Sequence, residues 1–81
     1  MKKVQLIYTK SCVYCPQTKA LFKELNQKHK FDYEEIDAES SEGQKLVQKF
    51  DIMSVPTIII DSKVAFVGLP TRERAEAAVK N

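Results

Sequence analysis

Val4 to Phe22 read VQLIYTKSCVYCPQTKALF, and the fold turns on the way this stretch changes its period. Val4 to Tyr8 are β-branched, aliphatic or aromatic apart from Gln5, which is the composition of a short strand. From about Val13 to Lys30 the apolar residues Leu21, Phe22 and Leu25 recur at i, i+1 and i+4 with lysines on the other faces, which predicts a helix. The chain's two cysteines, Cys12 and Cys15, fall where strand hands over to helix. Such a pair can hold a metal, staple a fold or trade electrons.

Outward from this stretch, short apolar runs keep alternating with helical patterns. Phe31 to Ile36 (FDYEEI) read as a second strand with imperfect alternation. Ser41 with Gln44 three positions on has the spacing of a capping box, and Leu46, Val47 and Phe50 give the helix that follows a narrow apolar stripe. Two apolar runs, PTIIID and VAFVG, are separated by Asp61, Ser62 and Lys63, the chemistry of a hairpin turn. Thr71 can cap a last helix over 72–80, with Ala75, Ala78 and Val79 on one face. The order is βαβαββα, and TIII lacks polar alternation, as a strand covered on both faces should. The expected product is an α/β fold, a four-stranded mixed sheet sandwiched by three helices, with residues 1–81 forming one domain.

Composition narrows the function. The 81 residues are 43 % hydrophobic and 30 % charged, ordinary globular material, and 13 basic against 11 acidic residues give no broad surface for nucleic acid. The opening MKKVQLIY has a basic lead-in, but its apolar run is too short for a signal peptide, and no stretch reaches a membrane span. A cytoplasmic protein is expected, without nucleic-acid or membrane partners.

The three readings of the cysteine pair differ in what they require. Two cysteines are too few for a disulfide framework, and closing so short a loop stabilises little. A closed zinc site needs four ligands; the chain offers one C-x-x-C and His29, which lies at the far end of the predicted helix, roughly 20 Å from Cys15. No metal site is therefore assigned. Exchange chemistry fits the position best. The N–H groups and partial positive charge of a helix N-terminus stabilise a thiolate at Cys12, and Lys10 adds a cation. That thiolate attacks a partner disulfide, and Cys15, one helical turn further in and more buried, displaces the partner and leaves an internal bridge.

A second feature is DIMSVPTIII, residues 51–60, which puts Pro56 directly before the predicted third strand. Proline donates no ladder hydrogen bond, so it belongs at a strand's first residue or an edge. It can simply end the preceding loop. Alternatively the Val55–Pro56 bond is cis and turns the Val55 backbone out to pair with an extended substrate.

Taken together, YTKSCVYCPQTKALF, SVPTIII, the hairpin ending FVGLP and the last helix resemble the glutaredoxin and small thioredoxin-like group of the thioredoxin fold, across essentially the whole chain. The resemblance implies that Cys12 is the nucleophile and Cys15 the resolving residue, and that a cis Val55–Pro56 lies against the thiols. It also implies substrate contacts from Lys10 and Tyr14, which stand where glutaredoxins approach glutathione. Gly68 permits close backbone approach and is a further candidate for substrate contact, or it simply ends a strand before Pro70. Glutaredoxins usually follow a Gly-Gly with a polar and acidic pair; this chain has Gly68-Leu69-Pro70-Thr71. Typical thioredoxins have Trp-Cys-Gly-Pro-Cys and a buried Asp on the first strand; this chain has no Trp, and Leu6 takes the Asp position. It is most similar to compact archaeal and bacterial redoxins with a glutaredoxin-like sequence and thioredoxin-like behaviour. The implied activity is thiol–disulfide oxidoreduction on disulfide-containing proteins by a monomer that binds no cofactor, with electrons from NADPH through a flavin-dependent thioredoxin reductase. The alternatives are a glutathione-dependent glutaredoxin and a module holding an iron–sulfur cluster between two chains.

Overall fold

Alternation along Lys3–Tyr8 (β1) sends Val4 and Leu6 to one face of a sheet and Ile7 to the other, all fully buried. The computed structural model describes residues 2–80, and the remaining elements are Cys15–His29 (α1), Asp32–Asp37 (β2), Ser41–Phe50 (α2), Thr57–Ile60 (β3), Lys63–Val67 (β4) and Arg72–Val79 (α3). The sheet order is β2-β1-β3-β4, with β1 parallel to β2 and antiparallel to β3, and β3 antiparallel to β4. This is the expected mixed sheet with three helices.

Two apolar clusters explain why the central strands lack polar alternation. On one face Val4, Leu6 and Ile58 pack with Phe22 and Leu25 of α1 and with Ala75 and Val79 of α3. On the other, Ile7, Ile36 and Ile59 pack under Leu46 and Phe50 of α2. Ile58 and Ile59 are adjacent in β3 and enter opposite cores, so both faces of that strand are dry.

Several boundaries move from their expected places, each for a local reason. The first helix begins at Cys15, not at Val13. A helix starting at Val13 would have Cys12 as its cap and would need the Pro16 N–H for the Cys12 carbonyl, and proline has none. Instead the first bond runs from Thr18 N to Tyr14 O, 3.1 Å, with Pro16 in the opening turn. The cap of α2 is Ser40 rather than Ser41, its side chain accepting from Gly43 N at 3.0 Å, while Gln44 donates to the Glu39 carbonyl. Gly43 is buried because α2 lies on the end of β2; a Cβ there would collide with the Asp37 carbonyl oxygen. The hairpin turn has two residues, Asp61 and Ser62, both in the left-handed region, as a tight antiparallel turn requires, and Lys63 belongs to β4. The Thr71 cap stands as expected, accepting from Arg74 N.

Candidate active site

The site is assembled at the C-terminal end of β1. After Tyr8 the chain turns, with Cys12 N donating to Thr9 O at 3.3 Å, and reaches Tyr14, the residue that caps α1. Cys12 and Cys15 are joined by a disulfide, their Cα atoms 5.4 Å apart, within the usual span of such a bridge. The two cysteines sit in unlike surroundings. Cys12 is half-buried in the loop, and Cys15 is only 2 % exposed as the first residue of the helix.

The electrostatics of α1 suit an anion at this end. Tyr14 supplies no side-chain cap, and no acidic residue lies in the first turn, so nothing on the helix itself offsets its positive N-terminal end. Lys28 and His29 lie in the last turn, where the dipole favours cations. The Tyr14 carbonyl accepts from both the amide and the hydroxyl of Thr18, the latter at 2.8 Å. Thr18 is fully buried and fixes the Tyr14 carbonyl, just before Cys15, at the start of the helix. Its polar type at a helical core position was the signal available in the sequence, and it does not by itself point to this loop.

Strand register brings a second loop to the same place. Ile7 pairs with Thr57, so the residues before β3 lie at the end of β1 from which the cysteine loop departs. Val55–Pro56 is cis, and Pro56 is buried. Two hydrogen bonds clasp this loop. The buried Thr57 hydroxyl donates to Ser54 O at 2.7 Å, and Gly68 N donates to Pro56 O at 2.7 Å. Among the described residues no hydrogen bond engages the Val55 N–H or C=O. Gly68 has φ +90, and a Cβ there would meet nothing within 4 Å, so the glycine answers a conformational need.

The remaining candidates lie around this centre. Tyr14 is 58 % exposed and neighbours the still more exposed Val13; Lys10 is exposed in the loop. Beside the proline loop a groove of ≈ 230 Å³ runs between the end of α2 and β4, lined by Ile52, Met53, Ser54, Thr57, Val64 and Val67 among others. His29 lies away from the cysteines, its Nε2 2.8 Å from the Glu76 carboxylate of α3. Among the described residues no three His, Cys, Asp or Glu side chains gather as a metal site, and no helix is long and apolar enough to cross a membrane.

The chain is similar to known proteins along nearly its whole length. Residues 2–80 match the family described as a thioredoxin domain. The thioredoxin of Methanocaldococcus jannaschii is 31 % identical over 78 residues, which is 96 % of this chain and 92 % of that protein. A thioredoxin-like protein of solved structure is 28 % identical with a TM-score of 0.73, covering 96 % of this chain and 95 % of that one. A mutant thioredoxin from Halobacterium salinarum shares the fold at a TM-score of 0.80 and 20 % identity, covering 96 % and 71 %. With its cysteines paired across the loop that opens α1, the chain belongs to the thioredoxin family and is a thiol–disulfide oxidoreductase.

Proposed function

We propose that this protein reduces protein disulfides in the cytoplasm as a monomer, with Cys12 attacking and Cys15 resolving. The observation that carries the assignment is the unequal burial of the two cysteines. A partner disulfide can reach half-buried Cys12, whereas Cys15, 2 % exposed, is reachable only from within the chain. In the first step the Cys12 thiolate bonds to one partner sulfur and the other leaves as a thiolate. In the second, Cys15 bonds to Cys12, the mixed disulfide breaks, and the partner departs reduced. The exposed Lys10 and the helix end favour the Cys12 thiolate.

The Val55 backbone accepts the substrate chain. Its N–H and C=O are uncommitted, and the carbonyls on either side are already held by Thr57 and Gly68, so an extended segment pairs there without disturbing the fold. Tyr14 packs against that segment from the cysteine loop, and Gly68 lets it approach closely. No bound cofactor is needed. Electrons come from NADPH through a flavin-dependent thioredoxin reductase, a reading supported by relatives that are thioredoxins rather than glutaredoxins.

The test is NADPH-coupled disulfide reduction, run with thioredoxin reductase and, in parallel, with glutathione plus glutathione reductase. Turnover with the flavoenzyme alone is expected; turnover with glutathione alone overturns the electron source. Cys12→Ser should abolish turnover, and Cys15→Ser should trap mixed disulfides with protein substrates. If Cys12→Ser traps instead, the two roles are reversed.

A further inference from the structure

Burial gives Cys15 a chemical problem. To resolve a mixed disulfide it has to react as a thiolate, and desolvation disfavours that anion. A cation stands one helical turn away. Lys19 follows Cys15 at i+4 on α1, a spacing that sets Cβ atoms about 5–6 Å apart. Helical side chains lean toward the N-terminus, so the Lys19 stem runs back over the turn that holds Cys15. Its ammonium is held over the aromatic ring that ends β1. Nζ lies 3.5 Å from the centroid of the Tyr8 ring, and the side chain is 27 % exposed. Tyr8 ends β1, where the cysteine loop leaves the sheet.

The charges around Lys19 leave it only partly neutralised. The carboxylate facing it is Glu35 of β2, at 4.0 Å, and the same carboxylate lies 3.8 Å from Lys23 of α1. Two ammonium groups against one carboxylate leave one positive charge in excess. Tyr33 of β2 donates its hydroxyl to Glu35 at 2.8 Å; burial first, then Glu35, push this phenol well above its usual range, so it remains a neutral donor. Lys10 adds a further cation from the loop. On α3, Arg72 pairs with Glu24, Glu76 with Lys28 and His29, and Arg74 faces Phe66. The residues α2 packs inward belong to the opposite face of the sheet.

We propose that Lys19, held over the Tyr8 ring, is a positioning cation that stabilises the negative charge on Cys15 as it attacks the Cys12 mixed disulfide. This rests on Cys15 being the resolving cysteine. In that step the Cys15 proton passes to solvent and Cys15 Sγ bonds to Cys12 Sγ. The bond between Cys12 and the partner sulfur breaks, and the partner cysteine leaves as a thiolate. The two cysteines of this chain are oxidised and the partner's disulfide is reduced.

Cys12→Ser leaves Cys15 as the chain's one thiol, so thiolate absorbance against pH reports on it alone. In that background Lys19→Gln should cut the thiolate fraction about tenfold at pH values below the midpoint, equivalent to about one pH unit. Lys19→Arg should restore most of the loss, and Glu35→Gln should move the midpoint the other way. With Cys12 present, single-turnover release of a mixed disulfide at the same pH should slow about tenfold in Lys19→Gln. If Lys19→Gln lowers thermal stability but leaves the titration and the release rate within about twofold, Lys19 is a structural strut and the proposal is overturned. The Cys15→Ser trapping experiment tests the roles of the cysteines separately, and the titration does not depend on those roles. The two failures are therefore distinguishable.

Discussion

Gly68 shows how a single backbone conformation holds the proline loop. Its amide holds the Pro56 carbonyl, and its φ of +90 is one that side-chain-bearing residues rarely adopt. Gly68→Ala meets no steric obstacle, so its cost is conformational, about 1–3 kcal/mol. The expected outcome is a lower denaturation midpoint together with slower reduction of protein disulfides, while thiol titration of the cysteines stays unchanged. A variant that loses stability but keeps wild-type kinetics would remove the proposed link between Gly68 and substrate binding at the proline loop. Thr18 belongs at this scale too. Thr18→Val keeps the volume but leaves the Tyr14 carbonyl with one bond instead of two, and should cost about 1 kcal/mol in urea unfolding.

At the scale of elements, α2 and α3 are fixed by different forces. α2 sits so close to the end of β2 that Gly43 has no room for a side chain; Gly43→Ala forces the helix outward and should destabilise by about 1–3 kcal/mol, read as a shift in Tm. α3 is tied to the last turn of α1 by Glu76, which meets Lys28 Nζ and His29 Nε2 at 2.8 Å each. Lys28, then His29, lowers the Glu76 carboxyl from its ordinary 4.5 to about 2. A carboxyl depressed in the folded state stabilises above its unfolded value, so the contribution is complete above about 4.5 and is lost as pH falls toward about 2. The Tm difference between wild type and Glu76→Gln should therefore be present at neutral pH and vanish in acid. A difference independent of pH would mean that Glu76 acts by packing and not by charge.

For the molecule as a whole, stability and redox chemistry rest on separate parts. The cysteines are three positions apart, and closing so short a loop restrains the unfolded chain by no more than about 2 kcal/mol in the entropic account. Ile58 is fully buried against both α1 and α3 and should cost about 2–5 kcal/mol when cut to alanine. Denaturant unfolding of oxidised protein, reduced protein and Ile58→Ala should rank in that order of falling stability. If reduction costs more than Ile58→Ala, the bridge is structural as well as reactive. Such separation lets the bridge open and close in each cycle while the sheet stays intact.

The sequence by itself determined the element order, the two-sided burial of the third strand and the place of the cysteines between strand and helix. These follow from period and composition, which act over a few residues: Val4 to Tyr8, the Leu21–Phe22–Leu25 stripe and the unbroken TIII run declare themselves locally. Local signals blurred where two rules competed within one turn. Pro16 moved the helix start to Cys15, and Ser40 outcompeted Ser41 for the cap because Gly43 was the amide within reach. Only the tertiary structure decided what meets at the site. The register of β1 on β3 sets Ile7 against Thr57 and so brings residues 54–57 to the cysteine loop, and the ladder from β4 delivers the Gly68 amide to Pro56. The ammonium of Lys19 over Tyr8 likewise depends on α1 packing against the face of the sheet that carries Val4 and Leu6. Contacts between residues far apart in the chain depend on packing the whole sheet, and no window of sequence contains them.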